Sequence, residues 1–378
     1  KRLYACKMWL LASTFHCFHL TMIFLDCTFY DITMQRLGVS FDVLDSESRH
    51  SHAALQLLDR LHSENRLASR GDGVLGIGCD EFVPLAKSSG ASLYLTRDVV
   101  AALERKERYN FDWAYYVVDR SQAEHFRRLA LVLKQLGVEW SDRVQHVSFG
   151  RIRGVSSRKG VGEGMLLDDL LNEAVHRARH SMDQAPTTRV QDETSAQLVA
   201  EQLGLAAVVV NFLRGRRNRD ITFDWHQALH VAGDSGISLQ YAHARLCSLE
   251  EKAGLSVERE VAVDLLQEPC ALALAVQVAR FEEVVCSAVH QLEPCIVTQY
   301  LFVLSHAIGR AAKELPVKNQ VLPLAQVMHL STVRQHFHVS RIRACNNRIV
   351  VLESAWSCSS TSRTLASSHV YMTKLPVL

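Results

Sequence analysis

No CxxC pair occurs among the ten cysteines of this 378-residue chain. The spacing by which zinc and thiol-redox sites are read is therefore missing. A disulfide framework is not expected in so long a chain. The cysteines read as small, reduced, buried apolar residues in a reducing compartment. Strong charge of either sign is missing too: 42 Lys and Arg stand against 40 Asp and Glu, a net charge of +2. That balance demands neither nucleic acid nor membrane, and any basic surface has to be local. No arginine-rich presequence is visible.

What is present is ordinary globular material. Hydrophobic residues make up 48% and charged residues 22%, enough for a real core and two or three domains. The chain opens on Lys1, which reads as part of a longer sequence. Its longest apolar run, Met8 to Leu25, is interrupted by Ser13, Thr14, His16, His19 and Thr21. The run barely reaches spanning length, so no membrane role is expected.

Ala53 to Leu61 reads as an amphipathic helix. Gly71 to Gly78 is glycine-rich, but no Lys-Ser/Thr follows it. A hairpin or surface loop is expected there in place of a phosphate loop. From Leu93 the pattern turns α/β. A short strand is expected at 93–95, a helix from Asp98 to Arg105, and a strand at 113–118. A helix at 122–136 and a strand at 144–149 follow. Strand–helix–strand at this spacing implies a parallel sheet. Beyond about Asp168 only helices are expected, at 166–180, 194–213, 225–230, 239–253, 270–291 and 295–315, with no internal repeat. From about Pro316 the pattern fades, and Ser354 to Ser368 is rich in serine and threonine. A disordered or foreign tail is expected there.

Three segments carry candidate chemistry. Tyr94 and Asp98 fall at the edge of a parallel sheet, where ligands bind, and an Asp there suits a cationic group. On spacing alone, an N-cap beside a packed tyrosine is the simpler reading. Gln122 and His125 open the next helix at the same edge. Gln122 can hydrogen-bond an amide, a hydroxyl or a guanidinium, or merely start a helix. Finally, Val147 to Gly160 ends a strand in a glycine-flanked loop bearing Arg151, Arg153, Arg158 and Lys159 with Ser156 and Ser157. It reads either as a polyphosphate loop or as a solvated basic loop.

Together these segments resemble the arginyl-tRNA synthetases, especially their mitochondrial branch. The family's arginine-pocket segment is similar to Ser92-Leu93-Tyr94-Leu95-Thr96-Arg97-Asp98. Its next strand and helix resemble Tyr116-Val117-Val118-Asp119 through Gln122-Ala123-Glu124-His125-Phe126. Its modified KMSKS region is similar to His146-Val147-Ser148-Phe149-Gly150 through Ser156-Ser157-Arg158-Lys159-Gly160. Phe223-Asp224-Trp225, Gly233-Asp234-Ser235-Gly236 and Leu239 to Leu246 resemble the entry to its helical anticodon-binding domain. Leu292-Glu293-Pro294 and Tyr300-Leu301 fit a later part of it.

The resemblance implies a partial Rossmann-like, parallel-sheet catalytic domain at 35–225 and an all-helical anticodon-binding domain at 226–315. Residues 1–34 and 316–378 stand outside it as atypical segments. It implies an arginine–tRNA ligase, a monomer of the mitochondrial matrix, that uses ATP, with Mg2+ accompanying the nucleotide and no bound metal site. Tyr94, Asp98 and Gln122 would hold arginine. His125, Phe149, Gly150, Ser156, Ser157, Arg158 and Lys159 would serve ATP and catalysis. Tyr241 and Arg245 would meet the anticodon loop, and the cluster Arg214, Arg216, Arg217 and Arg219 the tRNA backbone. A packed tyrosine and solvated arginines explain the same positions.

There are departures. No HxGH sequence occurs, although the family's should precede Gln35. The first half of the sheet is therefore expected to be missing or replaced, which leaves activity open. Ser157 stands where the class motif has its second lysine. The alternative reading is a non-catalytic tRNA- or RNA-binding protein derived from such a synthetase.

Overall fold

The computed structural model describes residues 33–39, 41–78, 81–153, 166–185, 190, 192–253, 268–315, 349–355 and 369–374. The expectation for Met8 to Leu25 lies outside these residues.

The α/β unit is built on strand β5 (Trp113–Asp119), helix α3 (Ala123–Gln135) and strand β6 (Val144–Phe149). The two strands pair in parallel from Ala114 opposite Val144 to Asp119 opposite Phe149. β5 shows why this segment is a strand. Ala114, Tyr116 and Val118 are buried on one face, while Trp113, Tyr115 and Val117 point the other way. The first set meets a core shared with α3 through Phe126, Leu129, Val132 and Leu133, at helical spacing. Helices α1 (Ser51–Ser63) and α2 (Tyr94–Tyr109) close the same core with Leu57, Leu58 and Leu61, and with Leu95, Val99 and Ala102.

The second face of the sheet is different. Tyr115, Val117 and Val147 line a cavity of about 930 Å³ shared with Leu205, Leu239 and Leu301 of the helical half. Parallel sheets bury both faces under helices; here one face packs and the other opens into apolar space.

The strand expected at 93–95 is absent. Of these three residues Leu93 alone is extended, its N–H donating to the Leu85 carbonyl at 2.8 Å, and α2 begins at Tyr94. The alternation of Ser92 to Leu95 imitates a strand, but Leu95 and Val99 are buried one turn apart on a helix. α2 ends on Asn110 in the left-handed conformation (φ 42°), whose N–H returns to the Lys106 carbonyl.

The glycine-rich stretch belongs to an antiparallel sheet of β2 (Ala68–Ser69), β3 (Leu75–Gly78) and β4 (Phe82–Ala86). Arg70 to Val74 forms the first turn, with Gly73 at φ 80°. This is the hairpin alternative rather than a phosphate loop.

The helical half comprises α4 (Leu167–Gln184), α5 (Glu193–Leu213), the short α6 (Trp225–Ala228), α7 (Gly236–Ala253), α8 (Pro269–Ala279), α9 (Phe281–Gln291) and α10 (Cys295–Glu314). Leu239, Leu246, Leu274, Val284, Leu304 and Ile308 form its core. The single helix expected at 270–291 is two helices broken at Arg280. The Tyr300 hydroxyl donates to the Gln277 carbonyl at 2.9 Å beside the break. Helix α5 is long and apolar enough to cross a membrane, yet Ala200, Gly204 and Val208 bury one face of it here.

Of the tail, residues 349–355 and 369–374 are described; from 356 to 368 the expectation for the serine-rich stretch lies outside the described residues. Strands β9 (Ile349–Ala355) and β10 (His369–Lys374) enter the main sheet. Its order is β1 (Val43–Ser46), β10, β9, β5, β6. β9 lies parallel to β5, and β10 runs antiparallel to β9 and β1. The β-branched run Ile349-Val350-Val351 has strand propensity, which the adjoining serine-rich composition hides.

Candidate functional site

Tyr94 and Asp98 stand four residues apart on α2, so both lie on one helical face. Asp98 is not a cap: Leu93 occupies the N-cap position without a side-chain bond. The Asp98 carboxylate instead meets His125 Nε2 at 2.7 Å. The Tyr94 ring stacks on the His125 imidazole with centroids 4.9 Å apart and planes at 28°. His125 is 8% exposed and Tyr94 43%, so the histidine is buried beneath an exposed tyrosine ring. Gln122, half-buried, is the N-cap of α3, one turn before His125. Tyr94, Asp98 and His125 give a cation one carboxylate and one aromatic face.

The start of α2 is fixed from behind. The Thr96 hydroxyl donates to the Leu85 carbonyl, and Arg97 pairs with Glu47 at 2.8 Å. Deeper in, Arg105 pairs with Asp45 at 3.1 Å and reaches the Tyr116 hydroxyl at 3.5 Å. His50 bridges Asp45 (3.0 Å) and Glu104 (2.8 Å). Burial would raise the Asp45 carboxyl, but the His50 hydrogen bond and the Arg105 cation hold it well below the usual carboxylate range. Sequence reasoning missed this cluster because Arg105 is 60 residues from Asp45, and Glu104 is 54 from His50. A signal was there: Arg105 lies on the apolar face of α2, where a charge requires a partner.

The second candidate region begins where β6 ends. Phe149 is exposed. Gly150 serves the fold: a Cβ there would lie 2.2 Å from the Arg219 carbonyl oxygen, and its N–H donates to the Arg217 carbonyl at 2.7 Å. β7 (Ile152–Arg153) then pairs in parallel with β8 (Ile221–Thr222). Asp220 gathers the basic residues of this corner. It accepts from the Arg151 N–H at 3.1 Å and from Arg153 at 2.8 Å, and pairs with Arg120 at 2.8 Å. These contacts hold its carboxyl below the ordinary range, the Arg151 N–H first among them. Arg151 also reaches Asp119 at 3.3 Å. Two of the four basic residues of the expected phosphate loop are thus already matched by carboxylates. Ser156, Ser157, Arg158 and Lys159 lie outside the described residues.

The RNA candidates separate as well. Tyr241 is 53% exposed, with the Arg245 guanidinium 5.9 Å from its ring centre. Both line a cavity of about 550 Å³ with His306, which pairs with Asp234 at 3.1 Å. Arg216 and Arg219 face solvent. Arg214 lies over the Phe302 ring. Arg217 turns inward, donating to the Ser148 carbonyl and, at 2.8 Å, to the Leu292 carbonyl, while its N–H meets Glu293 at 3.0 Å. This geometry takes Arg217 out of the candidate RNA surface. Among the described residues no three His, Cys, Asp or Glu side chains group as a metal site requires.

A parallel strand pair with polar groups at its carboxyl edge, followed by a helical domain, is the plan of a class I aminoacyl-tRNA synthetase. The family comparisons agree with that order. Residues 19–225 match "tRNA synthetases class I (R), catalytic domain", and residues 239–335 match "DALR anticodon binding domain". The first match begins inside the segment set apart as 1–34, and the second runs beyond 315. "Probable arginine--tRNA ligase, mitochondrial" of Mus musculus is 37% identical over 297 residues, covering 77% of this chain and 50% of that protein. "Probable arginine--tRNA ligase, cytoplasmic" of Dictyostelium discoideum is 35% identical over 301 residues, 79% of this chain and 51% of that protein. The fold is similar to the crystal structure of arginyl-tRNA synthetase from Plasmodium falciparum (TM-score 0.68, 23% identity, 82% of this chain and 54% of that one). It is also similar to the Thermus thermophilus enzyme (TM-score 0.64, 19% identity, 81% and 59%). The chain belongs to the arginyl-tRNA synthetase family. It spans about half the length of the relatives it matches.

Proposed function

We propose that the protein serves as an arginine–tRNA ligase, activating arginine with ATP and passing it to the terminal adenosine of tRNA(Arg). The observation that carries this reading is the convergence of Tyr94, Asp98 and His125 at the edge of the sheet. His125 holds Asp98 Oδ2 and so fixes the plane of the carboxylate. Asp98 then faces a substrate guanidinium, to which a carboxylate makes short, charge-assisted hydrogen bonds. The exposed Tyr94 ring adds a cation–π face, and Gln122 an amide.

On this reading Phe149 and Gly150 mark the ATP side, with Ser156 to Lys159 following them. Magnesium would arrive with the nucleotide phosphates. Tyr241, Arg245 and Arg216 form the RNA-facing set, and the mitochondrial names among the relatives support a mitochondrial location. The protein is read as a monomer.

The test is calorimetric titration with arginine and with lysine, beside arginine-dependent ATP–pyrophosphate exchange in the presence of tRNA. Binding of arginine and not lysine, with exchange, is expected. Failure to bind arginine at millimolar concentration rejects the reading. Salt-sensitive tRNA binding without exchange would favour the non-catalytic RNA-binding alternative.

A further inference from the structure

Arg105 and Asp98 lie seven residues apart on α2. Two helical turns separate them by about 10 Å along the axis, on the same face. Helical side chains lean toward the N-terminus, so the Arg105 guanidinium leans toward Asp98. The two charges lie within electrostatic reach of each other. Arg105 is only 3% exposed, and a buried cation requires an anion. The charges of two carboxylates, Asp45 and Asp98, act on it. The structure gives Arg105 to Asp45 at 3.1 Å and leaves Asp98 with His125.

Asp45 is built for that task. It is 6% exposed and belongs to β1, a different element from α2. One oxygen accepts from the Ser46 N–H at 3.0 Å, and the other meets both His50 and Arg105. His50 is itself fixed by Glu104. The pairing is nevertheless incomplete: Arg105 Nε has no hydrogen-bond partner among the described residues. A second anion would therefore still attract it.

We propose that Asp45 is a positioning residue that diverts the Arg105 guanidinium from Asp98, keeping the Asp98 carboxylate available to the guanidinium of the ligand. Arg105 carries the same chemical group as the ligand and, without Asp45, becomes an internal competitor for the pocket. This assignment rests on the arginine-binding reading above. It makes Asp45, on another element, a determinant of arginine affinity.

The experiment is calorimetric titration of the 378-residue chain with arginine for wild type, Asp45→Asn, Arg105→Met and the double variant, each with a thermal melt. A merely structural ion pair predicts that both single variants weaken binding, because each leaves a buried charge alone. Diversion predicts an asymmetry. Asp45→Asn weakens arginine binding about tenfold or more, as expected when a cation is brought near the receiving carboxylate. Arg105→Met keeps wild-type affinity or better although its melt falls, and the double variant returns to within about twofold of wild type. Equal loss in both single variants overturns the assignment, as does an unchanged Asp45→Asn. If Asp45→Asn does not fold, Arg105→Met decides: retained affinity supports diversion and lost affinity overturns it. A wild type that binds no arginine overturns the functional reading and this assignment with it; a wild type that binds while the asymmetry is missing overturns this assignment alone.

Discussion

The two halves of the molecule hold their candidate residues in opposite ways. In the α/β half, His125 is buried, Asp98 is hydrogen-bonded to it, and the helix carrying Asp98 is tied to β4, to Glu47 and to Asp45. In the helical half, Tyr241 and Arg245 stand exposed with one loose ring contact between them. On the proposed function, the contrast matches what each half would bind. A small cation is told from its analogues only by groups already fixed in place. A single-stranded loop of RNA is met by stacking on an aromatic face and by mobile cations. The first needs a buried polar scaffold; the second needs reach.

The strongest way to break the comparison is Asp98→Asn. It removes the charge but keeps the shape, and a hydrogen bond to a charged group is worth about 1.5–3 kcal/mol. Calorimetry should show arginine affinity falling about 10- to 150-fold, with tRNA affinity unchanged. An unchanged arginine affinity would place the small-molecule site elsewhere.

Next in size is Arg217→Met, which addresses the joint between the halves. It leaves the Ser148 and Leu292 carbonyls without their donor. Urea unfolding should show a loss of about 2 kcal/mol, because both acceptors are partly buried. No loss would mean the two halves do not depend on this contact. Tyr241→Ala sharpens the comparison from the other side. Filter binding should show a loss of about 1 kcal/mol in tRNA affinity, at the low end for one stacked base, while arginine titration stays the same. If arginine binding moved instead, the division of labour would be wrong.

The smallest effect is a pH dependence confined to the α/β half. Burial lowers the pKa of His146, a trend strengthened by the nearby Arg217 cation and opposed by the Val118 carbonyl. The native state therefore favours the neutral ring, and the unfolded chain takes up the proton first as pH falls. Stability from this group is complete above the ordinary histidine pKa of about 6.5 and is lost as pH drops below it. Thermal melts from pH 7.5 to 5 should fall less steeply for His146→Phe than for wild type.

Much of the fold was legible because period is local. The alternation of Trp113 to Asp119 and the spacing of Phe126, Leu129, Val132 and Leu133 specify strand and helix without help from elsewhere. What was illegible depends on distant partners. Ser92 and Leu93 are extended against Ala86 and Leu85, and nothing in Ser92 to Leu95 shows that the extension stops at Leu93. The break at Arg280 lies beside a hydroxyl that comes from Tyr300. The site divides the same way. Tyr94 and Asp98 were visible as a pair, but His125 was assigned to ATP, whereas its imidazole lies against both of them. The basic loop was visible as charge, but the carboxylates of Asp119 and Asp220 that already hold Arg151 and Arg153 were not.

Arg217 has a consequence for communication between the halves. One guanidinium holds the carbonyl of Ser148, just before the strand ends, and the carbonyl of Leu292, at the corner between α9 and α10. Hydrogen bonds of this kind tolerate only a few tenths of an ångström before they fail. The strand end and the helical corner therefore share one tolerance. A displacement at either of them is spent on the same side chain, so Arg217 is one point, beside the Asp220 corner, at which the two halves read each other's position.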